Sequence, residues 1–208
     1  MPAKSRKKTP WSEFESETED GRRKRSDYSR RRILEALYYL IREGDATPSA
    51  IDVAARANVG LRTVFRHFED MDTLYEEMTD EVAGLTMPRI LAPFETNEWQ
   101  DQLMEFVDRN AELFELIFPM QVALSIRRFD SDFLQKQHDR ETNLLRTSLK
   151  SILPKHIVKK RPLFAAIEVT LAFPTWRRLR EDQNLSIENA KETLKLTLSG
   201  LITRIDAS

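Results

Sequence analysis

From Ser29 onward, apolar residues recur at helical spacing, and the gaps between runs mark where one helix gives way to the next. Ile33, Leu37, Leu40 and Ile41 share a face, and Gly44 ends the run as a C-cap glycine would. Thr47 has the character of an N-cap with Pro48 at the first helical position, and Val53, Ala54 and Ala57 follow on one face. Asn58 and Gly60, both tolerant of left-handed backbone, bracket Val59. A third helix is predicted over about Leu61 to Phe68, with Val64 and Phe68 inward. A fourth covers about Asp70 to Leu85, striped by Met71, Leu74, Tyr75, Met78 and Val82.

Pro88, Pro93 and the polar "ETNE" predict a break. Beyond it Trp99, Leu103, Phe106, Val107, Leu113, Phe114 and Ile117 lie on one face. Pro119 is expected to open a separate short segment to about Arg128, and a longer helix runs from Asp132 to Ile152. Pro154 and Pro162 fence off an expected basic loop. Two last helices are predicted, Leu163 to about Glu181, kinked or restarted at Pro174, and Ile187 to Arg204. No strand alternation stands out and no internal repeat is present. The expected fold class is all-α with about nine helices.

The balance of 40% hydrophobic and 32% charged residues over 208 suits a soluble protein. Cysteine is absent, which excludes a disulfide framework, a thiol nucleophile and a cysteine metal site. The three histidines form no metal-spaced cluster, so neither metal nor cofactor is expected, and a helical enzyme is the weakest reading. No apolar run approaches membrane-span length and no secretory signal stands at the N-terminus, so the expectation is a cytoplasmic protein without membrane association.

The net charge of -1 hides an asymmetry that the total does not convey. Residues 21–66 carry eleven basic and five acidic side chains, whereas residues 67–208 carry eighteen and twenty-four. A localised basic block is an electrostatic footprint for a polyanion. It coincides with two short helices separated by a tight turn. Ala54 and Ala57 are small enough for helices to cross closely, Asn58 and Gly60 are suited to the turn, and a helix-turn-helix follows. Its second helix would present Leu61, Arg62, Thr63, Phe65, Arg66 and His67 to a major groove. Arginine suits both guanine edges and phosphates.

The stretch "DVAARANVGLRTVFRHFEDMDTLY" resembles the TetR family of transcriptional regulators in spacing and residue type. The segment "TWRRLREDQNLSIENA" is similar to a Trp-Arg-Arg-Leu-Arg segment near that family's penultimate helix. The resemblance implies a homodimer on a palindromic double-stranded DNA operator, with a DNA-binding unit over 29–75 and a helical effector-binding and dimerisation domain over 76–208. By position it puts Thr63, Phe65 and His67 near phosphates and Leu61 and Arg62 nearest the base edges. Arg30, Thr47, Ser49, Gly60 and Arg66 complete the expected contact set. Asn58 stands for the family's usual turn glycine, Gly60 for a serine, and Met71 for a lysine that clamps phosphate.

Residues 1–28 are expected to be a disordered tail, in which "GRRKRSDYSRRR" carries seven basic residues against one acidic. Arg22, Arg23, Lys24 and Arg25 would form an arm in the adjacent minor groove or along the backbone. In the effector domain most aromatics suit a bundle core, while Asn110 and His138 interrupt apolar stripes. Phe106, Asn110, Phe114, His138, Phe173 and Trp176 form the candidate set around a small hydrophobic or amphipathic effector. In the last helix Ala190, Leu194, Leu198 and Leu201 share a face and Leu196 and Ile202 lie off it, so more than one side must be covered. The first face is the expected dimer interface. A repressor released by its effector is the reading. The alternative is a non-sequence-specific or architectural DNA-binding protein held by phosphates alone.

Overall fold

The structure, a computed structural model, describes residues 21–206, with side chains over 26–203. Of the tail expected over residues 1–28, residues 1–20 lie outside the described residues. Among the described residues the chain is all-α, with ten α-helices, one π-helical turn and no strand. The helices are α1 (Gly21–Arg42), α2 (Ala50–Ala57), α3 (Leu61–His67), α4 (Met71–Ile90), α5 (Trp99–Arg127) and α6 (Asp132–Ile152). They continue as α7 (Lys155–Lys159), α8 (Arg161–Leu171), α9 (Phe173–Arg177), the π turn Arg178–Asp182, and α10 (Ile187–Asp206). None of the described helices is long and apolar enough to cross a membrane.

Several boundaries differ from those the sequence predicts, each for a local reason. Helix α1 begins at Gly21, so residues 21–28 are helical rather than tail. Arginine and lysine are good helix formers and nothing in that stretch stops a helix. Ser49, not Thr47, is the N-cap of α2. Its Oγ accepts from Asp52 N at 3.3 Å, and Asp52 Oδ2 accepts from Ser49 N at 3.0 Å. That reciprocal box needs a side-chain acceptor three residues after the cap, and Thr47 has Ala50 there. Pro88 lies within α4 and Pro119 within α5. One lost backbone bond at Pro119 is outweighed by burial on both sides of it, Leu103, Phe106 and Val107 before and Met120, Ala123 and Leu124 after. The expected basic loop is helix α7, pinned by buried Ile157. The helix expected over 163–181 is divided by extended backbone at Ala172, and Pro174 helps open α9.

Two compact units divide at Pro88 and Arg89. In the first, Ile33, Leu34 and Leu37 of α1, Val53, Ala54 and Ala57 of α2, Val64 of α3 and Leu74, Tyr75 and Met78 of α4 are buried, with Phe68. Burying each larger side chain contributes about 1.5–3 kcal/mol. That is how a seven-residue helix such as α3, too short to persist alone, keeps its orientation.

The second unit is built around α5, whose Leu103, Phe106, Val107 and Ala111 share a core with Leu149, Ile152, Ile157, Ile167, Leu171, Trp176 and Leu179. Charged side chains tie its surface. Asp108 of α5 pairs with Lys191 Nζ at 2.9 Å and Lys195 Nζ at 2.6 Å on α10, and Arg146 of α6 pairs with Glu168 of α8 at 2.9 Å. The same core contains Ala190, Leu194 and Leu198, which are 0%, 4% and 0% exposed. The stripe expected to form a dimer interface is therefore the inward face of α10 within one chain. Leu201 packs half-buried at its edge, and the most exposed apolar residue of α10 is Leu196, at 76%.

Candidate nucleic-acid interface

The turn between α2 and α3 is made by one residue in the left-handed region. Asn58, at φ 51 and ψ 51, directs its N–H to the Ala54 and Ala55 carbonyls, and the Val59 N–H reaches the Ala54 oxygen at 3.0 Å. These bonds satisfy carbonyls at the end of α2 and reverse the chain within two residues. Asparagine tolerates that backbone better than any other non-glycine residue type apart from aspartate. Gly60, by contrast, is extended (φ -72, ψ 147) and caps α3 through its backbone alone, the Thr63 N–H reaching its carbonyl at 2.7 Å. Its conformation does not require glycine.

With Val64 buried, the 100° step between helical residues turns Arg62 and Arg66 to the opposite, exposed side of α3. Leu61 and Phe65 occupy the neighbouring strip, and Thr63 and His67 the other flank, half-buried. The outward face thus carries two cations and two apolar side chains. Burial, then the charges of Arg66 and Arg30, holds the His67 imidazole below its usual range, and its Nε2 is buried without a hydrogen-bond partner. Burial and the neighbouring cations thus favour the neutral ring, which retains one unused polar atom.

The remaining candidates are dispersed. Thr47 and Ser49 are exposed beside α2, although the Ser49 hydroxyl is engaged with Asp52. Arg22, Arg23, Lys24 and Arg25 fall in the opening turns of α1 rather than in a tail. Arg30 faces inward. Its Nε donates to Glu77 Oε1 at 2.7 Å, its Nη2 pairs with Glu77 Oε2, its Nη1 donates to the His67 carbonyl at 2.8 Å, and its guanidinium lies 4.6 Å from the Phe68 ring centroid. Three of its five N–H donors are thus engaged with Glu77 of α4 and the end of α3, which gives Arg30 a structural use beside the DNA contact expected of it. Asp70 caps α4, accepting from Thr73 N at 2.8 Å, and the following Met71 is half-buried. Sequence reasoning missed Glu77, which lies 47 positions from Arg30 and carries no local signal.

In the second unit Phe106 and Trp176 are buried in the core, while Phe114 and Phe173 form a half-buried edge-to-face pair at 5.4 Å, joined by Phe118 at 5.4 Å from Phe173. Asn110 Nδ2 lies 3.5 Å from the Leu171 carbonyl. His138 sits on α6, its imidazole lowered by burial and then by Arg128. The Trp-Arg-Arg-Leu-Arg segment has a structural use. Trp176 Nε1 at 3.0 Å and Arg180 Nε at 2.8 Å both donate to Glu115 Oε1. Among the described residues no group of three or more acidic or histidine side chains could hold a metal.

No protein-family model matches the chain, and no curated protein sequence matches it. Its fold does match the crystal structure of a transcriptional regulator from Rhodococcus sp. Rha1, with a TM-score of 0.64. The match covers 86% of this chain and 96% of that one at 14% identity. The likeness is one of fold. A fold hosts many functions, so the functional argument stays with the exposed face of α3 and the turn that presents it.

Proposed function

We propose that this chain is a TetR-like, sequence-specific DNA-binding transcriptional regulator, acting as a homodimer that a small hydrophobic or amphipathic effector releases from a palindromic operator. The observation that carries the reading is the pairing of the left-handed turn at Asn58 with the outward Arg62 and Arg66. A helix held by its back edge, with cations projecting from its front, suits insertion into a major groove. The fold shared with a transcriptional regulator supports the same reading.

The release mechanism follows from linkage. An effector that binds the DNA-incompetent arrangement more tightly draws the population away from the operator, and the operator weakens effector binding by the same factor. The half-buried ring cluster of Phe114, Phe118 and Phe173 beside Asn110 suits such a ligand. Dimerisation moves to the outward sides of α8 and α10, where Val169 is 64% and Leu196 76% exposed. The test is selection of binding sites by the full chain from random duplex DNA, followed by competition with random duplex. A selected sequence that outcompetes random DNA is expected, and Arg62→Ala should cost about 1–3 kcal/mol and relax preference at one base pair. If random duplex competes equally, the architectural reading replaces this one.

A further inference from the structure

We infer that the recognition face of α3 carries an apolar ledge, Leu61 with Phe65, that reads thymine C5-methyl groups beside the base pairs met by Arg62 and Arg66. This rests on the proposed DNA-binding role and gives it a chemical preference. Leu61 is 40% and Phe65 48% exposed, and their i, i+4 spacing stacks them into one strip. The strip runs alongside the two exposed arginines, on a helix whose inward side is already filled by Val64. A large part of both side chains is therefore left uncovered by the core, and water penalises that part.

The chemistry of the occupant follows from what each surface of duplex DNA offers. Phosphates and sugar edges offer charge and hydrogen-bond partners, and neither a leucine nor a phenylalanine can use them. Phe65 carries no hydroxyl with which to reach a phosphate. In the major groove the thymine methyl is the one apolar group that a base pair presents. The flanking arginines complement the phosphate charge and suit guanine edges, so the face is matched to a half-site that places thymine next to guanine.

Removing the methyl on the DNA side tests this without disturbing the protein. Sites selected by the full chain are resynthesised with deoxyuridine replacing each thymine singly, which deletes the methyl and keeps base pairing. At one or more positions in each half-site affinity should fall about fourfold, the worth of burying one such carbon group. Phe65→Ala or Leu61→Ala should bind the thymine and uracil sites equally. A selected sequence indifferent to uracil at every position overturns the ledge while leaving DNA reading intact. Selection of no sequence at all overturns the DNA-reading role itself, and the ledge with it.

Discussion

Arg30→Met, which keeps most of the side-chain stem and removes the guanidinium, should loosen α3 from behind. One guanidinium links α1 to the carboxylate of Glu77 on α4, to the backbone carbonyl of His67 at the end of α3, and to the ring of Phe68. The Arg30 side chain is 40% exposed and Glu77 27%, so solvent screens the ion pair and leaves it about 0–1 kcal/mol. The charged hydrogen bond to the α3 carbonyl is worth about 1.5 kcal/mol or somewhat more. The ring contact adds about 0.5–1 kcal/mol. These terms share one group and do not add fully, so loss of the head should cost roughly 2–3 kcal/mol of stability.

The neighbour supplies the sharper test, because two roles for Arg30 give Glu77→Gln opposite signs. If Arg30 were a phosphate contact held back by its carboxylate, neutralising Glu77 would free it and tighten operator binding. If it is a clamp, the same change slackens α3 and weakens binding severalfold. Urea unfolding and operator affinity should be measured on wild type, both single mutants and the double mutant. Tighter binding by Glu77→Gln, or a coupling energy in the double-mutant cycle below about 0.3 kcal/mol, refutes the clamp.

Other expectations concern the interface and the buried titratable groups. Leu196→Glu should give a folded monomer by sedimentation, whereas Leu198→Glu, placed in the core, should unfold its unit instead; a Leu196→Glu dimer would move the interface off α10. Because burial lowers the folded-state pKa of His67 and His138, the unfolded chain binds protons more readily. Their contribution is present above about pH 6.5 and lost as pH falls below it. The urea midpoint of wild type should therefore drop between pH 8 and pH 5.5 more than that of His67→Gln, and equal drops would exclude His67. Glu141 carries the reverse sign: burial raises its carboxyl, so its contribution is complete at low pH and lost as pH rises through its folded pKa. Glu141→Gln, still surrounded by Gln121 and Gln137, should melt higher than wild type at pH 8, with the advantage vanishing toward pH 4.

Much of the fold was legible because helical burial writes a period into the chain. The helix expected over Asp132 to Ile152 is found with those limits, and the one expected near Leu61 to Phe68 ends within a residue. Prolines were misread in the opposite direction. Pro88 and Pro119 have the local chemistry of breakers, but a breaker's cost is about 3 kcal/mol and burial on both sides of Pro119 exceeds it. Local sequence states the cost of a proline, while the offset comes from residues on other helices.

The same division explains which parts of the site could be read. The turn depends on backbone chemistry within a few residues, so the sequence showed the turn and offered Asn58 and Gly60 for it, of which Asn58 alone is left-handed. Periodicity could also say that α10 has apolar residues on more than one side, yet it could not say which side faces its own chain. Ala190, Leu194 and Leu198 look like an interface because a core stripe and a dimer stripe carry the same residue types, and only the position of α5 separates them. Arg30 is ambiguous for the matching reason among charges. An arginine in a basic run reads as a DNA contact, and the carboxylate 47 positions away that engages it carries no local signal. Basic residues near α3 thus fall into two groups, those that project outward and those that hold the helix in place. Charge counting cannot separate them, whereas neutralising the partner carboxylate can, because the two groups respond with opposite sign.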